Sequence, residues 1–239
     1  FLEKSLRSIT NQSFKNFEII IFNDKSTDNS LEIIKKYKNI KIINNNKKKL
    51  STPALNQLNG IIRCLKVSRG NILCLMDADD FFKKNKLKEV NKFFVNNSNN
   101  RCFFNFPEII NKKFKLKKRK IFITWPTIFP TSCISVRRDF FLDFIKYCKP
   151  KNFEFLEIDT RFLLFSTFFD NEYNFTKKKL TVYNFDPNGI TSNITFFSKI
   201  WWIRRLQAFE YLKYIKEKKR LKSIFNLDYF LTALINKFI

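Results

Sequence analysis

Residues Ile72–Leu87 read ILCLMDADDFFKKNKL, an apolar run that breaks off at Asp77, Asp79 and Asp80. An apolar run without alternation is the pattern of a strand buried on both faces, as in a parallel sheet covered by helices. The three carboxylates then sit just past the strand's carboxyl end, where open α/β sheets place their ligands. In a chain with 46 Lys and Arg against 21 Asp and Glu, this concentration of acid needs a reason.

Working outward, the preceding segment reads as a helix opened by Pro53, running to Ser68 and stopped by Gly70. Before it, IKII (Ile40–Ile43) and FEIIIF (Phe17–Phe22) read as strands. Between them STDNSLEIIKKY offers Ser26, Thr27 or Asp28 as a cap ahead of Leu31, Ile33 and Ile34. FLEKSLRSITNQ spaces Leu2, Leu6 and Ile9 as a helix does. Alternation of this kind predicts a parallel sheet flanked by helices.

The second half has a different texture. RCFFNF and CISVRR read as strands separated by the basic stretch Asn111–Lys120, a solvated loop. Helices are expected at Arg138–Tyr147 and around Glu157–Phe169, and KLTVYNF reads as an edge strand. From about Thr195 the pattern is helical, with a stripe through Trp202, Leu206, Phe209, Leu212 and Tyr214. Pro187 and Gly189 mark a boundary within Asp186–Asn193.

The formal charge of +25 predicts attraction to anions, although a chain this rich in Lys, Asn, Ile and Phe carries much of that charge by composition alone. A hydrophobic fraction of 44% excludes a disordered chain. No apolar run reaches the roughly 18 residues of a membrane span. Five cysteines without a CxxC pair, and no histidine, exclude a zinc site and point to a reducing, cytoplasmic setting. With only three glycines there is neither a G-x-x-x-x-G-K-[ST] nor a G-x-G-x-x-G loop.

Clustered carboxylates repel one another and need a cation or solvent to be tolerable. Asp24 follows the FEIIIF strand as Asp77–Asp80 follow theirs, so two strand ends present acid to one edge. A hard divalent ion, Mg²⁺ or Mn²⁺, takes oxygen ligands and shares them with phosphates. The sequence thus predicts a metal–diphosphate site. The plainer alternative is that Asp79 and Asp80 cap the next helix.

Together, FLEKSLRSITNQSFKNFEIIIFNDKSTDNSLEII and SRGNILCLMDADDFF resemble the inverting glycosyltransferases of family 2. The likeness continues more weakly through WPTIFPTSCISVRRDFF and LEIDTRFLLF. The resemblance implies a GT-A fold, that is, an α/β Rossmann-like, mostly parallel sheet flanked by helices. Its expected extent is residues 1–194, with a donor-binding part near 1–100, an acceptor-side part near 101–194 and a helical extension over 195–239. It implies sugar transfer from a nucleoside diphosphate sugar, a UDP-sugar first, to a glycan or lipid-linked acceptor, with Mn²⁺ or Mg²⁺.

By position, Asp24 matches the contact to the nucleotide base. Asp77 and Asp79 match the DxD motif, with Asp79 the principal metal ligand and Asp80 beside it. Asp159 matches the catalytic base, with Glu157 as runner-up. Against the family pattern, Asn23 and Lys25 replace an Asp and a Gly, Asn85 replaces a Pro, and the family's opening strand is absent before Phe1. The chain therefore reads as N-terminally truncated.

Two other readings compete. A non-catalytic polyanion binder, with nucleic acid as partner, explains the charge and aromatics but leaves the DADD cluster misplaced, and no specific nucleic acid is expected. An inactive transferase fragment would bind a donor and turn nothing over. Arg204 and Arg205 are candidates to clamp a diphosphate or to form a basic helix face. The terminal segment, basic and then apolar, suits either packing on the catalytic domain or peripheral contact with an anionic membrane at its inner face.

Overall fold

The computed structural model describes residues 1–110, 128–148, 152–169, 173–185, 189, 194–218 and 227–239. Its elements run α1 (Leu2–Thr10), β1 (Ile19–Asn23), α2 (Ser30–Lys35), β2 (Ile40–Asn44), α3 (Pro53–Val67), β3 (Ile72–Cys74), β4 (Phe81–Phe82) and α4 (Lys86–Asn96). They continue with β5 (Cys102–Ile110), β6 (Ile134–Arg137), α5 (Arg138–Tyr147), α6 (Ile158–Phe169), β7 (Phe175–Asn184), α7 (Lys199–Lys218) and α8 (Leu227–Asn236). The basic run 111–120 and nearly all of the boundary at 186–193 lie outside the described residues.

The strands form two sheets. β1 and β2 pair in parallel, with Ile21 opposite Ile42. The other five lie in the order β3-β6-β5-β7-β4. Within it β5 and β7 run parallel, while β6 is antiparallel to β3 and β5, and β4 is antiparallel to β7. The α/β alternation is therefore present, with more antiparallel pairing than the first hundred residues suggest. KLTVYNF is not an edge strand. It belongs to β7, which is flanked by β5 on one side and by two-residue β4 on the other. β4 is too short for any period to reveal it.

Phenylalanine fills the main core. Phe104, Phe140, Phe141, Phe144 and Phe162 are all buried between the five-stranded sheet and helices α5 and α6. The Phe144 and Phe162 rings meet edge-on at 5.1 Å, the geometry that aromatic quadrupoles favour. A second cluster joins Leu156 and Leu164 to Ala208, Tyr211, Leu212 and Ile215, so α7 is sewn to α6 by apolar contact. The buried stripe of α7 runs through Ala208, Phe209, Tyr211, Leu212 and Ile215. Trp202 and Leu206 are only half-buried.

Local chemistry fixes the pieces that carry the acidic residues. Thr52 caps α3 by accepting from the Leu55 N–H at 3.3 Å, with Pro53 at the first helical position. Gly60 lets α3 approach β1 closely, since a Cβ there would meet the Phe22 ring at 2.5 Å. Lys25 adopts φ 57°, a left-handed conformation that costs a residue with a Cβ about 1–2 kcal/mol. Replacing it by glycine removes that strain but adds unfolded-chain entropy. Lys25→Gly is therefore expected to stabilise the fold by about 0.5 kcal/mol, read as a small rise in urea midpoint at unchanged slope.

Candidate active site

The short strand β3 delivers Asp77, Asp79 and Asp80 to a turn held from beneath. Ser132, in the 3₁₀ turn Thr131–Cys133, accepts the Asp77 backbone N–H on its hydroxyl at 2.9 Å. Lys86, the first residue of α4 and fully buried, donates to the Ser132 carbonyl and to the Thr181 hydroxyl, the latter at 2.8 Å. Its ammonium also lies 3.8 Å from the centre of the Phe82 ring. Burial lowers the Lys86 pKa to about 8, partly offset by Cys133, Cys74 and Asp80. One buried cation thus ties together the turn behind the acidic motif, β7 and α4.

The three carboxylates differ in their surroundings. Asp77 accepts from Gln57 Nε2 of α3 at 2.9 Å. Burial, opposed by Gln57 and reinforced by the charge of Asp79, pushes its carboxyl up to about 6. Asp80 is fully buried, and its Oδ1 accepts the backbone N–H of Asn184 at 2.9 Å. Burial raises it to about 7, and Asp77 and Asp79 add to the shift. Its Oδ2 is buried with no hydrogen-bond partner, as is Gln57 Oε1. Asp79 is half-buried.

Asp159 joins this group from the other half of the chain. It stands in the first turn of α6, where its Oδ1 accepts the Thr160 N–H at 2.6 Å. Burial first, then the charge of Glu157 and of Asp77, pushes its carboxyl up to about 7, with Arg204 opposing. Glu157 is itself buried and ion-paired with Arg204 of α7. Arg204 also donates to the Phe155 carbonyl at 3.1 Å. Arg161, fully buried, turns its guanidinium to the carbonyls of Leu156, Asn152 and Phe153. It fixes the loop that leads into Asp159. Ser51 and Thr52 tie the same loop to the start of α3 through Glu154.

Tyr183 of β7 is the residue that reports the convergence. Burial pushes its phenol up to about 12, and the charges of Asp80, Asp159, Asp79 and Asp77 all push in the same direction. A phenol held neutral beside four carboxylates is a hydrogen-bond donor. Neither Tyr183 nor Gln57 was legible in the sequence. One is an ordinary strand tyrosine, the other a helix glutamine, and only the packing brings them to the acids.

Asp24 follows β1 and is held separately. Asn45 Nδ2 donates to its Oδ1 at 2.6 Å, and Lys49 Nζ lies 3.8 Å from its Oδ2. Arg63 of α3 fixes Asn45 with a 3.1 Å hydrogen bond and faces the Phe22 ring at 5.1 Å. Asn23, in place of the family's acid, accepts the Ser26 N–H and donates to Asn44, both at 3.0 Å. Helix α3 therefore touches both strand-end sites, through Gln57 and through Arg63.

Among the described residues no three His, Cys, Asp or Glu side chains form a group that could hold a metal ion by themselves. That is compatible with a magnesium-type ion, which takes one or two carboxylates and fills its remaining positions with substrate phosphates and water. The unsatisfied Asp80 Oδ2 and the raised carboxyls beside it are what a cation would relieve.

The family model described as Glycosyl transferase family 2 matches residues 1–158. An uncharacterized glycosyltransferase of Haemophilus influenzae is 35% identical over 117 residues, covering 47% of this chain and 34% of that protein. The Escherichia coli UDP-Glc:alpha-D-GlcNAc-diphosphoundecaprenol beta-1,3-glucosyltransferase WfaP is 34% identical over 103 residues, 40% of this chain and 39% of WfaP. The matched stretch is thus well under half of either relative. Among solved structures, S. aureus TarS 1-349 in complex with UDP-GlcNAc superposes with TM-score 0.60 at 15% identity, over 99% of this chain and 66% of that one. A Pyrobaculum calidifontis mannosyltransferase in complex with GDP-Man and Mn²⁺ gives TM-score 0.56 at 13% identity, over 93% and 61%. These likenesses show the fold to be GT-A, with additional C-terminal helices.

Proposed function

Since the chain belongs to glycosyl transferase family 2, we propose that it transfers a sugar from a nucleoside diphosphate sugar to an acceptor hydroxyl at the site formed by Asp77, Asp79 and Asp159. The observation that carries this reading is that Asp159 and the acids after β3 lie close enough to act on one another's charge and on Tyr183, although Asp159 stands 80 positions beyond Asp79 in the chain. The relatives supply the chemistry. TarS and the Pyrobaculum enzyme were solved with nucleotide sugars, and WfaP is named for a lipid-linked acceptor. A UDP-sugar donor, a glycan or lipid-linked acceptor and a role in cell-surface glycan synthesis follow for this chain as parts of the same proposal.

Each residue has a task. Asp79, half-buried, ligates the divalent ion, and Asp77 assists from its Gln57-fixed position. An Mn²⁺ or Mg²⁺ bound there supplies Lewis-acid neutralisation of the leaving diphosphate. Asp80, committed to the Asn184 N–H, holds β7 and Tyr183 against the motif. Asp24, oriented by Asn45, binds the nucleotide base. Asp159 accepts the proton of the acceptor hydroxyl as that oxygen attacks the anomeric carbon from the face opposite the diphosphate. A single displacement of this kind inverts the anomeric configuration. Glu157 is engaged by Arg204, which favours Asp159 as the base. The polyanion-binder reading gains nothing here, because the carboxylates would repel phosphate unless a cation intervened.

The base must be ionised to work, so the rate should rise with pH through a limb set by Asp159. Arg204→Met removes the cation that opposes its upward shift. That variant is expected to move the limb to higher pH, read from kcat/KM profiles beside the unmodified protein. An unmoved limb would assign the limb to another group.

The direct test is product formation from UDP-sugars on lipid-linked and free glycan acceptors, with the anomeric configuration of the product read by NMR.

A further inference from the structure

Helix α8 is inside out for a helix in water. Asp228, Thr232 and Asn236, spaced four apart, face the protein: Asp228 pairs with Arg205, Thr232 accepts from Arg205 at 3.3 Å, and Asn236 donates to the Trp202 carbonyl at 3.1 Å. The opposite side carries Leu227, Phe230, Leu231 and Leu234, 75, 59, 48 and 52% exposed, with Phe238 just beyond at 82%. A water-exposed helix shows the reverse arrangement.

The surface continues past α8. Phe196 and Phe197, 76 and 72% exposed, precede α7. The Phe197 ring lies 5.3 Å from that of Trp201, which meets Trp202 at 4.7 Å. Asn236 ties the end of α8 to Trp202, so the two exposed groups are neighbours. From Ile194 to the C-terminus the sequence holds ten basic and three acidic residues, and two of the three are paired, Asp228 with Arg205 and Glu217 with Lys213.

We propose that the outward face of α8, with Phe196 and Phe197, docks on an anionic lipid bilayer. Apolar side chains with a basic surround are the composition that seats a helix in the headgroup region. Among the described residues no helix is long and apolar enough to cross a membrane, so the contact is with the surface. Adjacent residues of α7 connect this face to the site: Arg205 holds α8 through Asp228, and Arg204 holds Glu157 beside Asp159. The use of the contact, presenting a lipid-linked acceptor to Asp159, rests on the transferase reading. The contact itself does not.

The test is pelleting of the protein with vesicles of phosphatidylcholine plus phosphatidylglycerol, and with phosphatidylcholine alone, over a range of salt. The anionic vesicles are expected to take up the protein, less so as salt screens the charge. Leu234→Glu/Phe238→Glu and, separately, Phe196→Glu/Phe197→Glu should each weaken uptake about tenfold or more. Leu142→Glu, an exposed apolar position on α5, should leave it unchanged. Circular dichroism confirms that the variants fold, and the unmodified protein's salt series stands without them. Failure to bind the anionic vesicles overturns the proposal, as does uptake that both double variants leave intact. A concentration-dependent dimer that the α8 variant dissolves, without vesicle binding, would assign the face to a second copy and also overturn it. UDP binding by the unmodified protein separates the two readings: its absence alongside salt-sensitive vesicle uptake counts against the transferase assignment only.

Discussion

Asp159→Asn should lower sugar transfer by about a thousandfold while leaving donor binding and folding intact. Asparagine keeps the size of the side chain and the acceptor oxygen that receives the Thr160 N–H, so the start of α6 has no reason to move. What is lost is the ability to take a proton at the pH of the assay. Burial and the neighbouring charges of Glu157 and Asp77 push its carboxyl up to about 7, which suits the proposed role of a base. Loss of activity with unchanged UDP affinity identifies a base. A mild loss with weakened affinity would make Asp159 a binding residue, and Glu157→Gln would then be the variant to compare.

Asp79→Asn should be as damaging and for a different reason. The amide keeps the shape of the turn but contributes no negative charge to the ion, so metal, diphosphate and transfer should fail together. A loss of about a thousandfold is expected, the scale of several kcal/mol of leaving-group stabilisation. Excess Mn²⁺ should recover part of it if the remaining ligands still assemble. Asp80→Ala serves as the contrast. It removes the Oδ1 that accepts the buried Asn184 N–H, so its effect should appear in thermal stability as well as in turnover.

The two halves of the chain were unequally readable. β1, β2, α3 and the position of β3 follow from runs such as FEIIIF and from Pro53 and Gly70, because local pattern and tertiary role agree there. The DADD motif does follow a strand, but β3 is half-buried at the end of its sheet and antiparallel to β6, not buried on both faces of a parallel sheet as the apolar run suggests. β4 and the interior position of β7 were hidden, since two residues carry no period and neighbours in a sheet are set by topology. The stripe on α7 holds at Phe209 and Leu212 but turns toward Ala208, Tyr211 and Ile215, because α7 packs on Leu156 and Leu164, a partner the sequence does not name. The links around the site were the least legible. Lys86, in a run of lysines, looks like a solvated charge, yet it is fully buried and holds the turn behind Asp77. Arg161 looks like a partner for Asp159, yet its guanidinium serves backbone carbonyls.

The acids after β3 are proposed to bind a nucleoside diphosphate through a divalent ion. Calorimetric titration of UDP into the protein, with and without Mn²⁺ and on Asp79→Asn, should show binding that requires Mn²⁺ and disappears in the variant. Binding that ignores both the ion and the substitution, or its absence for UDP, GDP and dTDP alike, would contradict that proposal.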